Sequence, residues 1–149
     1  MRRTRVLIIA GFGVFVFLGI ALMLARALSA TGTERSRVLE IAEAQARGDA
    51  RAVLRATPAC ARQPACVAAT EAFVAELKRP GDVAILQYQP SIQLPLTRAT
   101  GTGRVAWRIG DGLPIVQCVR VRRDGPLTGA TVELLSISAP IGREASCPS

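Results

Sequence analysis

The stretch VAWRIGDGLPIVQCVRVRRDG, residues 105–125, alternates apolar and polar side chains on both sides of a glycine-containing turn. A period of two is the pattern of a β-strand with one buried face. It predicts strands over 104–109 and 115–122, joined by a turn at 110–112. The stretch therefore predicts an antiparallel strand pair.

A second hairpin is predicted C-terminal to this pair. Asp124 and Gly125 form a strong hairpin-turn signal and predict a last strand over 130–138. A two-residue loop at these positions gives a definite register: Val119 opposite Ala130, Gln117 opposite Val132, and Ile115 opposite Leu134. This register places a mainly apolar face toward a core. It leaves Cys118 on the opposite face with Val116, Arg120 and Arg122.

Toward the N-terminus, the periodicity changes from extended to helical. A strand is predicted over 83–89, and Pro90 and Pro95 confine the next segment to a sheet edge or an irregular crossing. Before this strand, three helices are predicted from apolar spacing, capping residues and stops, over 34–47, 50–56 and 64–77. The loop between the last two helices contains Cys60 and Cys66.

Residues 6–25, VLIIAGFGVFVFLGIALMLA, contain no charge. As a helix this run would be about 30 Å long, the thickness of a bilayer's hydrocarbon core. It predicts a transmembrane signal-anchor over 6–26, and a cleaved signal peptide is the alternative. Small residues at Ala21 and Ala25 would also permit close approach of two such helices, so self-association stays open.

Three arginines precede the apolar run, and the positive-inside bias places the N-terminus in the cytoplasm and the rest outside the cell membrane. The four cysteines all follow the run, in a compartment where disulfides persist. Four cysteines allow three connectivities. We favour Cys60–Cys66, within an interhelical loop, and Cys118–Cys147, joining the tail to a strand.

These predictions divide the chain into five parts. Residues 1–5 are a cytoplasmic basic flank, 6–26 the transmembrane helix, 27–33 a linker, 34–140 an extracytoplasmic domain and 141–149 a tail held by a disulfide. The predicted fold class is α+β, with one N-terminal transmembrane helix followed by about three helices packed on a curved antiparallel sheet of about four to five strands.

Three segments, ARGDARAVL (46–54), VAWRI (105–109) and PIVQCVRV (114–121), carry a resemblance to a known superfamily. The chain resembles the nuclear-transport-factor-two-like, or cystatin-like, cone fold over roughly 34–140. The first segment looks like that fold's helix-Gly-Asp-helix junction, and the other two look like its long paired strands. The resemblance implies either a small-molecule pocket in the cone or a binding and assembly module, and fold alone does not choose between them.

Composition excludes several chemistries. The chain has no histidine, which removes Ser-His-Asp triads, HExxH zinc sites and the usual proton shuttle near neutral pH. Trp107 alternates with apolar neighbours and is interpreted as core. The sequence places no catalytic group, metal site or cofactor site.

The sequence offers a small set of candidate ligand-binding residues. Tyr88 is the only tyrosine and Asp82 the nearest acid in the sequence, while basic side chains are concentrated in the sheet half. Such arginines would suit an anionic ligand, acidic lipid headgroups or an acidic partner. The candidates are Tyr88, Asp82, Arg104, Arg108, Arg120 and Arg122.

The favoured function is a non-catalytic binding or assembly module on the extracytoplasmic side, attached to the lipid bilayer through 6–26, with an envelope protein as partner. The chain resembles membrane-anchored accessory subunits of transport and secretion systems. Nucleic acid is not expected as a partner, because the predicted compartment excludes it and stacking aromatics are scarce. The alternative is a membrane-tethered enzyme or ligand carrier that uses the cone as a pocket.

Overall fold

A computed structural model describes the backbone of residues 2–90, 99–124 and 131–148, and the side chains of these ranges except at 2–10 and 26–31. The described part is α+β, with four helices followed by a four-stranded sheet. The helices are α1 (Arg2–Arg47), α2 (Ala50–Ala56), α3 (Pro58–Ala61) and α4 (Pro64–Leu77). The strands are β1 (Val83–Gln89), β2 (Ala99–Ile109), β3 (Ile115–Asp124) and β4 (Thr131–Ile137). The sheet is antiparallel, in the order β1-β2-β3-β4.

The expectation of an N-terminal transmembrane helix is wrong. In the described part of the chain, no helix combines the length and the apolar character that crossing a membrane requires. The described side chains in the N-terminal half of α1, at residues 11–25, are uncharged and exposed. From Thr33 onward the same helix has charged side chains and packs on the sheet.

The predicted linker over 27–33 is not a break in the structure, because α1 runs through it without interruption. The C-terminal part of α1 is amphipathic. Its buried positions include Glu34, Val38, Ile41 and Gln45, which share one face at helical spacing. α1 therefore has two dissimilar halves within one helix.

The helical junctions match the sequence signals. Gly48 ends α1 with a φ of 75°, a left-handed conformation that favours glycine. The Asp49 carboxylate then accepts a hydrogen bond from the Ala52 amide at 2.9 Å and caps α2. Residues expected to form only a loop include the short helix α3.

The core lies between the inner face of the sheet and the helices. Trp107 is fully buried, as predicted, and Val105, Val119 and Val121 beside it are also inaccessible to solvent. From α4, Phe73 and Val74 pack into the same cluster. The faces predicted for β3 are therefore confirmed, with odd-numbered residues inside and even-numbered residues outside.

The predicted register of the second hairpin is wrong, although its faces are right. Val119 lies opposite Ile137 rather than Ala130, and Val121 lies opposite Leu134. The strands close at Asp124 and Thr131, so the connection is longer than a two-residue turn, and Ala130 itself lies outside the described residues. A register shift between Arg120 and Val121 restores the apolar face, as a bulge does.

Two further differences concern the strand boundaries. β2 begins at Ala99, five residues before the prediction, so that Gly101 and Gly103 belong to the strand. The sheet has four strands, the lower of the two numbers expected. The irregular crossing predicted around Pro95 lies outside the described residues.

Both predicted disulfides are confirmed. Cys60 and Cys66 join α3 to α4, and Cys118 and Cys147 join β3 to the tail. After β4 the chain stays beside β3, where the Ile141 amide donates to the Val116 carbonyl at 2.8 Å. The tail thus pairs with β3 through the backbone at Ile141 and is joined to the outer face of the sheet by the Cys118–Cys147 disulfide.

The two disulfides should differ in their effect on stability. Loop-closure entropy predicts a loss of about 3–4 kcal/mol for Cys118→Ser with Cys147→Ser, and about 2 kcal/mol for Cys60→Ser with Cys66→Ser, because the sequence separations are 29 and 6. Urea unfolding of the full chain in non-ionic detergent, followed by the fluorescence of Trp107, measures both. Equal losses, or a larger loss for the short loop, would contradict this ranking.

Candidate functional site

The structure does not bring Tyr88 and Asp82 together. They lie at opposite ends of β1, six residues apart, which corresponds to about 20 Å along a strand. Asp82 is exposed at the start of the strand, where its carbonyl accepts a hydrogen bond from the Gly110 amide at 2.8 Å. Tyr88 is turned toward the helical layer. The two side chains therefore do not form one site.

The Tyr88 hydroxyl donates a hydrogen bond to Glu34 on α1. The other carboxylate oxygen of Glu34 accepts from the guanidinium of Arg123, whose Nε lies 3.0 Å away and whose Nη2 also donates to it. Glu34 is fully buried and Arg123 is 4% exposed. Charges at such depth are tolerated only when paired and hydrogen-bonded. We call these three residues the buried triad.

A second polar connection crosses the core. Trp107 Nε1 donates to Gln117 Oε1 at 2.7 Å, and Gln117 Nε2 donates to Gln45 Oε1 at 2.9 Å and to the Ser138 carbonyl at 2.8 Å. Gln117 thus joins β2, β3, α1 and the segment after β4. Together with the buried triad, it fixes the rotation and the position of α1 along the sheet.

The predicted arginines are on the outer face of the sheet and differ in their surroundings. Arg104 donates to the Arg143 carbonyl of the tail. Arg122 pairs with Glu133 and with Asp124, the latter at 3.2 Å. Arg108 and Arg120 are exposed and have no salt bridge within the described residues. The structure therefore separates these four candidates into two that are engaged internally and two that are not.

A surface cleft of about 780 Å³ lies where the end of α1 meets the connection between α4 and β1. Of the predicted residues, it contains Asp82. Charged side chains of both signs line it, and Arg47 pairs across 3.9 Å with Glu43. The cleft is open to solvent and is separate from the buried triad.

The N-terminal half of α1 differs from every other described surface. All side chains of residues 11–25 are exposed, and the large ones have no contact that buries them, for example Phe15 at 77% and Phe17 at 70%. We call these residues the apolar arm. An exposed apolar surface of this extent marks a contact with another molecule or with lipid.

Sequence reasoning missed Glu34 and Arg123 as a pair. Glu34 occupies the same helical stripe as Val38 and Ile41, and Arg123 has the same parity as Val119 and Val121 on β3. A charged residue at a core position of each element could therefore have indicated a buried ion pair. The sequence gives no indication that these two residues, 89 positions apart, are the ones that pair.

Each titratable group of the buried triad is bonded to another of its members. The part of the chain with described placement contains no group of three or more His, Cys, Asp or Glu side chains that could hold a metal ion. The arrangement is suited to positioning α1 on the sheet.

Glu34→Gln should destabilise the fold by about 3–5 kcal/mol, because it leaves the Arg123 charge buried without its counter-ion. Tyr88→Phe removes one hydrogen bond and should cost about 0.5–1.5 kcal/mol. Urea unfolding of the full chain in non-ionic detergent, monitored at Trp107, measures both changes.

The matched control is Glu40→Gln on the same helix. Glu40 pairs with Arg37 at 3.5 Å, and both side chains are more than half exposed, so its loss should cost about 0.5 kcal/mol or less. A Glu34→Gln loss no larger than that of Glu40→Gln would show that the buried triad does not stabilise the fold.

Comparison with known proteins finds no relative of this chain. Searches of protein-family models, of curated proteins and of solved structures give no match to this chain. The function is therefore argued from the chain's own geometry.

Proposed function

We propose that this protein is a non-catalytic binding module with a nuclear-transport-factor-two-like body, attached to a membrane lipid surface through the apolar arm. The observation that carries the proposal is the exposure of the arm. Its large side chains, which include Phe12, Phe15, Leu18 and Leu22, are 41–77% exposed, and an apolar helical surface of this kind is strongly favoured to leave water.

Lipid is the occupant that suits the arm best. The apolar side chains are distributed around the whole helix instead of along one stripe, and a helix that is apolar on all sides requires an apolar environment on all sides. A single protein groove would cover one side only. Acyl chains surround the helix without needing complementary shape.

The disulfides support a body held outside the cytoplasm, and the layer arrangement supports its fold. Both disulfides belong to the α+β body, and such bonds persist in oxidising compartments. The body is also compatible with a nuclear-transport-factor-two-like fold, because helices cover one face of a four-stranded antiparallel sheet. We place this body in the extracytoplasmic space next to the membrane, where an envelope protein is its expected partner.

The enzyme or carrier alternative receives no comparable support. The inner face of the sheet is occupied by Trp107, Gln117 and Val119, all fully buried. The polar groups there bond to each other. Within the described residues, the two predicted pocket groups, Tyr88 and Asp82, face different surroundings.

The apolar arm should bind the full chain to vesicles of neutral phosphatidylcholine in a flotation assay. Phe15→Arg with Leu18→Arg should leave the protein at the bottom of the gradient, because each arginine costs up to about 3 kcal/mol in hydrocarbon and about 1.4 kcal/mol is already a tenfold change.

The matched control is Leu113→Arg, which adds charge at a leucine of the body that is 73% exposed, and it should float like the parent chain. Failure of the parent chain to float would overturn lipid attachment. So would equal flotation of the arm variant, or a stoichiometric dimer through the arm that forms in preference to vesicle binding.

A further inference from the structure

A cavity of about 390 Å³ opens on the outer face of the sheet, away from the apolar arm and from the buried triad. Its polar wall is formed by Thr102, Arg120 and Ser136. Its remaining wall includes Cys66, Cys118 and Pro148. A volume of this size lies in the range of small-molecule sites.

The polar wall is a consequence of the strand register. Thr102 on β2 lies directly opposite Arg120 on β3, and Arg120 lies directly opposite Ser136 on β4. Directly opposed residues have Cβ atoms about 4.5–5.5 Å apart. The Arg120 side chain therefore leaves the sheet between two hydroxyl side chains, in a row across three strands.

These three groups have no bonding partner in the part of the chain that the structure describes. Within the described residues, neither hydroxyl makes a hydrogen bond and Arg120 has no salt bridge, whereas its neighbours Arg104 and Arg122 are bonded to the tail and to two carboxylates. The row is thus a set of free donors in a concave place. Such donors are the usual recognition elements of an oxyanion.

The cavity is held by covalent bonds on two sides. Cys66 belongs to the disulfide that joins α3 and α4, and Cys118 to the disulfide that fixes the tail. Both bridges reach the same cavity. Walls fixed in this way lose little conformational entropy when a ligand binds, and this preorganisation favours binding.

We infer that this cavity binds the carboxylate group of a small organic acid. A single guanidinium supplies one positive charge, which matches a carboxylate better than a phosphate dianion. The two hydroxyls complete its hydrogen bonding, and Pro148 and the disulfides offer apolar surface to a short hydrocarbon part. The site goes beyond lipid attachment and does not depend on it.

The test is a titration of the full-length ¹⁵N-labelled chain in non-ionic detergent micelles, followed by NMR. Butanoate and inorganic phosphate are the probes. We expect butanoate to shift the backbone amides of residues 102, 120 and 136 in a saturable way, and more tightly than phosphate. Rising salt should weaken the binding.

Arg120→Gln removes the charge at an exposed position and should weaken butanoate binding at least about tenfold, and Arg51→Gln on the exposed side of α2 should change it by less than about twofold. Thr102→Val should weaken it by a smaller factor than Arg120→Gln. Unchanged amide dispersion verifies the fold of each variant. Tighter binding of phosphate, no saturable shift with butanoate, or an equal effect of Arg51→Gln would each overturn the inference, and none would affect the flotation result.

Discussion

The salt bridge between Glu34 and Arg123 fixes the position of α1 on the sheet. Both groups are buried, and two charges at that depth are stable only while they remain together and bonded to Tyr88. α1 therefore cannot rotate or slide on the sheet without separating them. About three helical turns further along α1, the hydrogen bond from Gln117 to Gln45 holds the helix on the sheet at a second point. Fixed at two points, α1 extends from the body in a definite direction.

The two halves of α1 have different surroundings. The half beside the sheet contributes Val38 and Ile41 to the core, and its exposed side is charged. The other half, the apolar arm, contributes nothing to the core and exposes all of its described side chains. Because one uninterrupted helix contains both halves, attachment of the arm to lipid would also orient the body, including the outer sheet face with Arg120.

Much of the body could be predicted from sequence because its signals are local. Alternation assigned the faces of β3, and the same alternation placed Cys118 where the tail could reach it. The hairpin register failed because Asp124 and Gly125 resemble a tight turn, while the strands close only at Thr131. The buried triad was missed because no local pattern tells which of many arginines pairs with Glu34. The transmembrane prediction was based on the length of an uncharged run, which does not reveal that the same helix continues to Arg47 and packs on the sheet.

We expect the apolar arm to lie in lipid and the exposed side of α1 beyond the arm to lie in water. The most direct measurement is the collision rate of nitroxide labels with oxygen and with a water-soluble nickel chelate, on Leu18→Cys and Ser36→Cys in phosphatidylcholine vesicles. We expect oxygen to collide more often than the nickel chelate with the label at 18, and the ratio of the two collision rates to shift toward the nickel chelate at 36. Equal access of the nickel chelate to both labels would contradict it.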